Sequence, residues 1–219
     1  MKKYVNLFVF VFMIGACLSQ GRAQTKSAVS YKNPVVDIAM PDPTVIKATD
    51  GYFYVYATES TRNVPIMKSK DLVEWTYCNT AFTNKTRPRF EPKAGIWAPD
   101  INYINGKYVL YYAMSVWGGE QTCGIGVATA DSPQGPFTDH GKMFRSNEIG
   151  VQNSIDPSLL QYEGRNYLVW GSFRGIYVIE LTADGLSIMP GAKKKRIAGT
   201  AFEAVYIHKH GDYYYMFAP

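Results

Sequence analysis

Apolar and polar positions along this chain come in short runs of roughly four to eight residues, and almost no stretch shows the spacing of an amphipathic helix. One unit sets the pattern. It opens on a carboxylate at Asp42, passes through a β-rich run from Thr44 to Ala48, turns at Asp50-Gly51 and returns through Tyr52 to Tyr56. Near-copies open at Asp100, Asp156 and Glu203, and turn at Asn105-Gly106, Glu163-Gly164 and His210-Gly211-Asp212. Each predicts a β-hairpin. Third strands are predicted at Val64 to Ser69, Gly124 to Thr129 and Gly175 to Glu180, and short fourth strands at Trp75 to Tyr77 and Phe137 to Asp139. Antiparallel units recurring every ~50 residues point to an all-β chain of the β-propeller type. First strands line the channel of a propeller, so the four leading acids are expected to converge near one axis.

The start of the chain reads differently. Lys2 and Lys3 precede an apolar run from Val5 to Ala16 that is short for a membrane span, which predicts a signal peptide over residues 1–23. Ile14-Gly15-Ala16-Cys17 fits a lipobox and Gly21-Arg22-Ala23 fits soluble-protein cleavage; both stay open. Residues 24–32 read as a short linker and 33–219 as one propeller domain. The run Tyr213 to Pro219 stops inside the second strand of the fourth unit, which predicts an incomplete domain and a chain that is inactive by itself. The expected location is outside the cytoplasm: periplasm, cell surface or extracellular.

Composition narrows the function classes. A net charge of +5 is too mild to imply nucleic acid, and Lys193-Lys194-Lys195-Arg196 reads as a solvated edge. Three cysteines are too few for a disulfide scaffold; Cys78 and Cys123 read as separate thiols, although a bridge between them is open. His208 and His210 have no partner at metal-ligand spacing, so no metal site is expected, and no cofactor either. A single Asp-Pro is most simply a turn. Acids at one repeat position in four units instead demand a cation or a reaction, because ionised carboxylates in a narrow channel are costly.

The segments Met40-Pro41-Asp42-Pro43, Gly95-Ile96-Trp97-Ala98-Pro99-Asp100, Asn153-Ser154-Ile155-Asp156-Pro157 and Gly199-Thr200-Ala201-Phe202-Glu203-Ala204 carry a resemblance. With Trp117 and Trp170-Gly171-Ser172, the chain resembles glycoside hydrolase family 43, five-bladed propellers that remove arabinose or xylose units from plant polysaccharides, and looks most like the arabinan-degrading branch. The resemblance implies about three and a half of five blades in this chain. It makes Asp42 a general base that activates water and Glu203 a general acid that protonates the leaving oxygen; Asp156 would orient Glu203 and raise its proton affinity. Trp97, Asp100, Ser154, Phe202 and Ser172 are the expected substrate contacts. A structural cation on the axis is expected only through a histidine of a further blade. The expected partner is a polysaccharide or oligosaccharide, with membrane association only through lipid on Cys17, and the complete protein is expected to be a monomer. Competing expectations are a xylosidase or arabinofuranosidase acting on xylan side chains, a sugar-binding propeller without catalysis, and a retaining fructan-cleaving relative. Phe202-Glu203-Ala204-Val205 departs from the Glu-Cys-Pro of the last, which favours the inverting alternative.

Overall fold

A computed structural model describes residues 31–219. The signal peptide read at 1–23, with Cys17, lies outside the described residues, as does most of the linker at 24–32. The first sheet holds β1 (Thr44–Lys47), β2 (Phe53–Tyr56), β3 (Pro65–Ser69) and β4 (Thr76–Thr80) in that order. The second holds β5 (Gly95–Ile104), β6 (Lys107–Ser115), β7 (Gly124–Ala130) and β8 (Thr138–Arg145). The third holds β9 (Ser158–Tyr162), β10 (Arg165–Trp170), β11 (Ile176–Glu180) and β12 (Lys195–Ala198). A hairpin of β13 (Tyr206–His210) and β14 (Tyr213–Phe217) follows. All pairings are antiparallel. Part of the basic run enters β12, the exposed outer strand of its sheet, while Cys78 and Cys123 are unpaired.

Local chemistry sets the turns. Asn105 and Gly106 both take positive φ, 49° and 82°, as a two-residue loop joining twisted strands requires. The predicted elements leave out two, the outer strand β12 and the short helix α1 (Ser146–Ile149). There the Glu148 carboxylate accepts the Arg145 amide at 3.0 Å and Gly150, φ 67°, ends the turn.

Alternation on the second strands builds the core. On β6, Tyr108, Leu110, Tyr112 and Met114 face the first sheet and pack with Tyr54, Tyr56 and Ile66, while Val109 and Tyr111 face the third sheet and pack with Leu168, Trp170 and Ile179. Both faces of the second sheet are therefore buried, each side chain contributing about 1.5–3 kcal/mol. The third sheet covers the last hairpin through Val169, Ile176 and Val205. Buried tyrosine hydroxyls are satisfied: Tyr112 donates to Asp139 at 2.6 Å and Tyr111 to the Gly185 carbonyl at 2.8 Å.

First strands adjoin one another in sequence, β1 beside β5, β5 beside β9, and β9 beside β13. Face-to-face sheets with adjoining inner strands are the order of consecutive propeller blades.

Register corrects the repeat. Counted back from each turn to the end of the regular register, the matching first-strand residues are Thr44 opposite Tyr56, Asp100 opposite Tyr111, Ser158 opposite Val169, and Tyr206 opposite Phe217; in the second sheet a bulge follows and pairing resumes at Trp97. Asp100 thus matches Thr44, Ser158 and Tyr206 rather than Asp42. The leading positions, two residues earlier, are Asp42, Ala98, Asp156 and Ala204. The four acids do not share one repeat position: sheet two carries alanine there, and Glu203 sits one residue before it.

Candidate active site

These four leading residues share a backbone state that few side chains adopt. Asp42, Ala98, Asp156 and Ala204 have φ of 48°, 36°, 57° and 46°. Left-handed non-glycine residues cost of order 1–3 kcal/mol and persist where the surroundings over-determine them. All four line one open depression of about 400 Å³ at the junction of the four first strands, together with Asp100. A larger apolar groove of about 700 Å³ meets it at Pro43 and Val45 but is lined by no titratable side chain.

Loops after the second strands hold the acids. After β2, the Thr58 amide donates to the Pro41 carbonyl at 2.9 Å and its hydroxyl to Asp42 Oδ2 at 2.6 Å. The same Thr58 oxygen accepts the Ala98 amide at 2.6 Å, so one side chain fixes Asp42 against the next sheet. After β10, the Ser172 hydroxyl donates to Glu203 Oε2 at 3.2 Å and the Phe173 amide to the Phe202 carbonyl at 2.9 Å. Asp42 is exposed, whereas Asp156 and Glu203 are half-buried. Burial first, then the charges of Glu203 and Asp42, push the Asp156 carboxyl up to about 7, against a bond from the Ala204 amide that lowers it. Asp42 and Glu203 are therefore both close enough to act electrostatically on Asp156.

Asp100 has another task. Its Oδ2 accepts the Leu159 amide and Asn102 Nδ2, both at 2.7 Å, and its Oδ1 lies 3.5 Å from Thr44 Oγ1. It staples the first strands of three successive sheets, and burial pushes it up to about 6 against the pull of those three bonds. Its oxygens are bonded within the protein, so Asp100 joins the strands while it also lines the depression.

Ser154 is corrected. It is 0 % exposed, donates to the Val151 carbonyl at 2.8 Å and accepts Trp170 Nε1 at 3.1 Å, away from any ligand. Ser172 is 2 % exposed and acts through Glu203. Phe202 is exposed beside the acid. Trp97 is half-buried, packed on Ala113, Cys123 and Ile155, with its ring centroid 5.4 Å from that of Trp117. Trp117 is 93 % exposed.

Sequence reasoning missed Thr58 and the ion pair behind it. Glu59 meets Arg87 at 2.5 Å and accepts the Ile96 amide at 2.9 Å, locking the entry of β5. Their signal was position alone, directly after a predicted second strand. Among the described residues no group of three or more His, Cys, Asp or Glu side chains is set to hold a metal ion.

An all-β frame that sets Asp42 and Asp156 in one open depression, with Glu203 near enough to act on Asp156, suits acid–base chemistry on a polar ligand. Comparison with known proteins makes the class specific. The model of glycosyl hydrolases family 43 matches residues 31–219. The probable arabinan endo-1,5-alpha-L-arabinosidase A of Aspergillus niger is 31% identical over 185 residues, covering 80% of this chain and 56% of its own length. The extracellular endo-alpha-(1->5)-L-arabinanase 1 of Bacillus subtilis is 35% identical over 189 residues, at 80% and 57%. Among solved structures, an exo-1,5-alpha-L-arabinanase from a bovine ruminal metagenomic library matches with a TM-score of 0.71 at 30% identity, over 86% of this chain and 67% of that one. The Cellvibrio cellulosa alpha-L-arabinanase matches at 0.72 and 28%, over 83% and 64%. The chain belongs to the glycosyl hydrolases family 43. It spans a little over half the length of these curated relatives.

Proposed function

We propose that the protein hydrolyses the α-1,5 bonds of arabinan by an inverting acid–base mechanism. The observation that carries this reading is that Asp42 and Asp156 line one depression and that Glu203 lies close enough to act on Asp156, with Asp42 and Glu203 each braced by a hydroxyl from a neighbouring loop. Asp42, the exposed acid, is the base: it takes a proton from the water that attacks the anomeric carbon. Glu203 gives a proton to the departing sugar oxygen. Asp156 is the third carboxyl, held by the Ala204 amide and coupled to both. Separate bracing of base and acid, on Thr58 and Ser172, favours two fixed carboxyls with room for a water between them, the arrangement an inverting enzyme needs. The five-bladed closure implied by the family is part of the same reading, with the sheets here as consecutive blades. Export is supported by the leading apolar segment and by the extracellular Bacillus subtilis relative. We further propose that the complete protein is a monomer needing no cofactor.

The names of the curated relatives favour internal cleavage, and the ruminal relative supplies the second reading, removal of units from chain ends. One pair of measurements tests the mechanism. Glu203→Ala is expected to lower turnover of arabinan about 10²–10⁴-fold while arabino-oligosaccharide still binds, and proton NMR of the first product is expected to show the β-anomer. Undiminished turnover removes Glu203 from the mechanism, and an α-anomer product removes inversion.

A further inference from the structure

Thr44 lies opposite Tyr56, Tyr56 opposite Ile66, and Pro65 opposite Thr80. The loop after β2 and the segment from β4 to β5 therefore emerge at the end of the sheets where the depression lies. Between them opens a separate polar cavity of about 390 Å³. Arg62, Arg89 and Lys93 line it, together with the buried Pro88, Ala94 and Met114.

The charge here is uncompensated. Arg87 and Glu91 also line the cavity, but Arg87 is neutralised by Glu59 at 2.5 Å. Glu91 Oε2 lies 2.7 Å from Arg145 Nη1, an ion pair not aligned as a hydrogen bond. Among the described residues, Arg62, Arg89 and Lys93 have no carboxylate partner. Two of these cations are also anchored. Arg62 Nε donates to Asn84 Oδ1 at 3.1 Å, and Arg89 Nη2 to the Asn84 carbonyl at 3.0 Å, so a single asparagine holds both guanidinium groups. Arg62, Arg89 and Lys93 are all exposed, so an anion in solution can reach them.

We propose that this cavity is a subsite for the carboxylate of a uronic acid unit in an acidic glycan, a proposal that rests on the glycan-hydrolase reading above. Guanidinium forks match a carboxylate in two-point geometry. Through Arg87 and Glu59 the cavity wall connects to the residue beside Thr58, so an acidic branch would be gripped while the neutral chain lies at the carboxyls.

The test is calorimetric titration of the complete protein with trigalacturonate at low ionic strength, next to arabinan hydrolysis by the same preparations. Wild type is expected to bind, and Arg62→Gln/Arg89→Gln to bind at least about tenfold more weakly with arabinan turnover unchanged. Arg62→Lys/Arg89→Lys is expected to recover part of the affinity, because it keeps charge but loses the fork. Absence of wild-type binding, or equal affinity in the glutamine pair, overturns the proposal. So does inorganic sulfate displacing trigalacturonate at equal concentration, which makes this a general anion site, or joint loss of binding and turnover in the glutamine pair that the lysine pair does not restore, which makes the arginines structural. A wild type that binds trigalacturonate but leaves arabinan uncut overturns only the hydrolase reading.

Discussion

Asp156 has two carboxyls for neighbours and little water, and its proton affinity records both. Its folded value of about 7 lies above the ~3.9 of an unfolded aspartate. Between those values the folded protein holds a proton that the unfolded chain has released, so stability falls as pH rises through that window. Asp156→Asn removes the penalty and is expected to stabilise the protein on the order of 2–4 kcal/mol at pH 8 and little at pH 4. Urea unfolding at the two pH values checks this, and an equal change at both would refute the linkage. Thr58 acts through another residue. Thr58→Val removes the donor to Asp42 and the acceptor for the Ala98 amide. It is expected to lower kcat about 10–100-fold with KM nearly unchanged, while Thr58→Ser stays close to wild type. A purely structural role would instead lower stability in both variants without a selective loss of kcat.

The elements show why the repeat was legible and its register was not. Alternating aromatic and β-branched runs mark the second strands, because a sheet buried on both faces leaves them few other residues to use. The leading acids misled: Asp42 and Asp156 are equivalent, but Asp100 lies two residues after the left-handed Ala98 of its sheet and Glu203 one residue before the left-handed Ala204. Proline was the better mark, since Pro43, Pro99 and Pro157 each follow the left-handed residue. Asp100, Ser154 and Ser172 could not be sorted from sequence, because whether a short polar side chain faces ligand or protein depends on partners 16 to 59 residues away. Close packing between elements is equally specific. A Cβ on Gly126 would meet Tyr112 Cζ and Oη at 2.4 Å. Gly126→Ala is expected to cost about 1–3 kcal/mol in urea unfolding, and an unchanged midpoint would mean that the Tyr112 ring moves freely aside.

At the scale of the whole molecule, the first strands meet at one place, and this turns separate acids into a site. The proposed internal cleavage is tested on debranched arabinan, whose viscosity should collapse before many reducing ends appear. Proportional release of single arabinose units with viscosity maintained would instead establish attack from the ends. The sequence by itself determined the all-β class, the four hairpins and the family, because these depend on local periodicity and on motifs a few residues long. Only the tertiary structure decided which acids share a repeat position, that Asp100 joins sheets, that Thr58 and Ser172 brace the site, and that Arg62, Arg89 and Lys93 share one cavity. Those facts depend on register and on contacts between distant segments, and a chain of residues carries neither until the sheets pack.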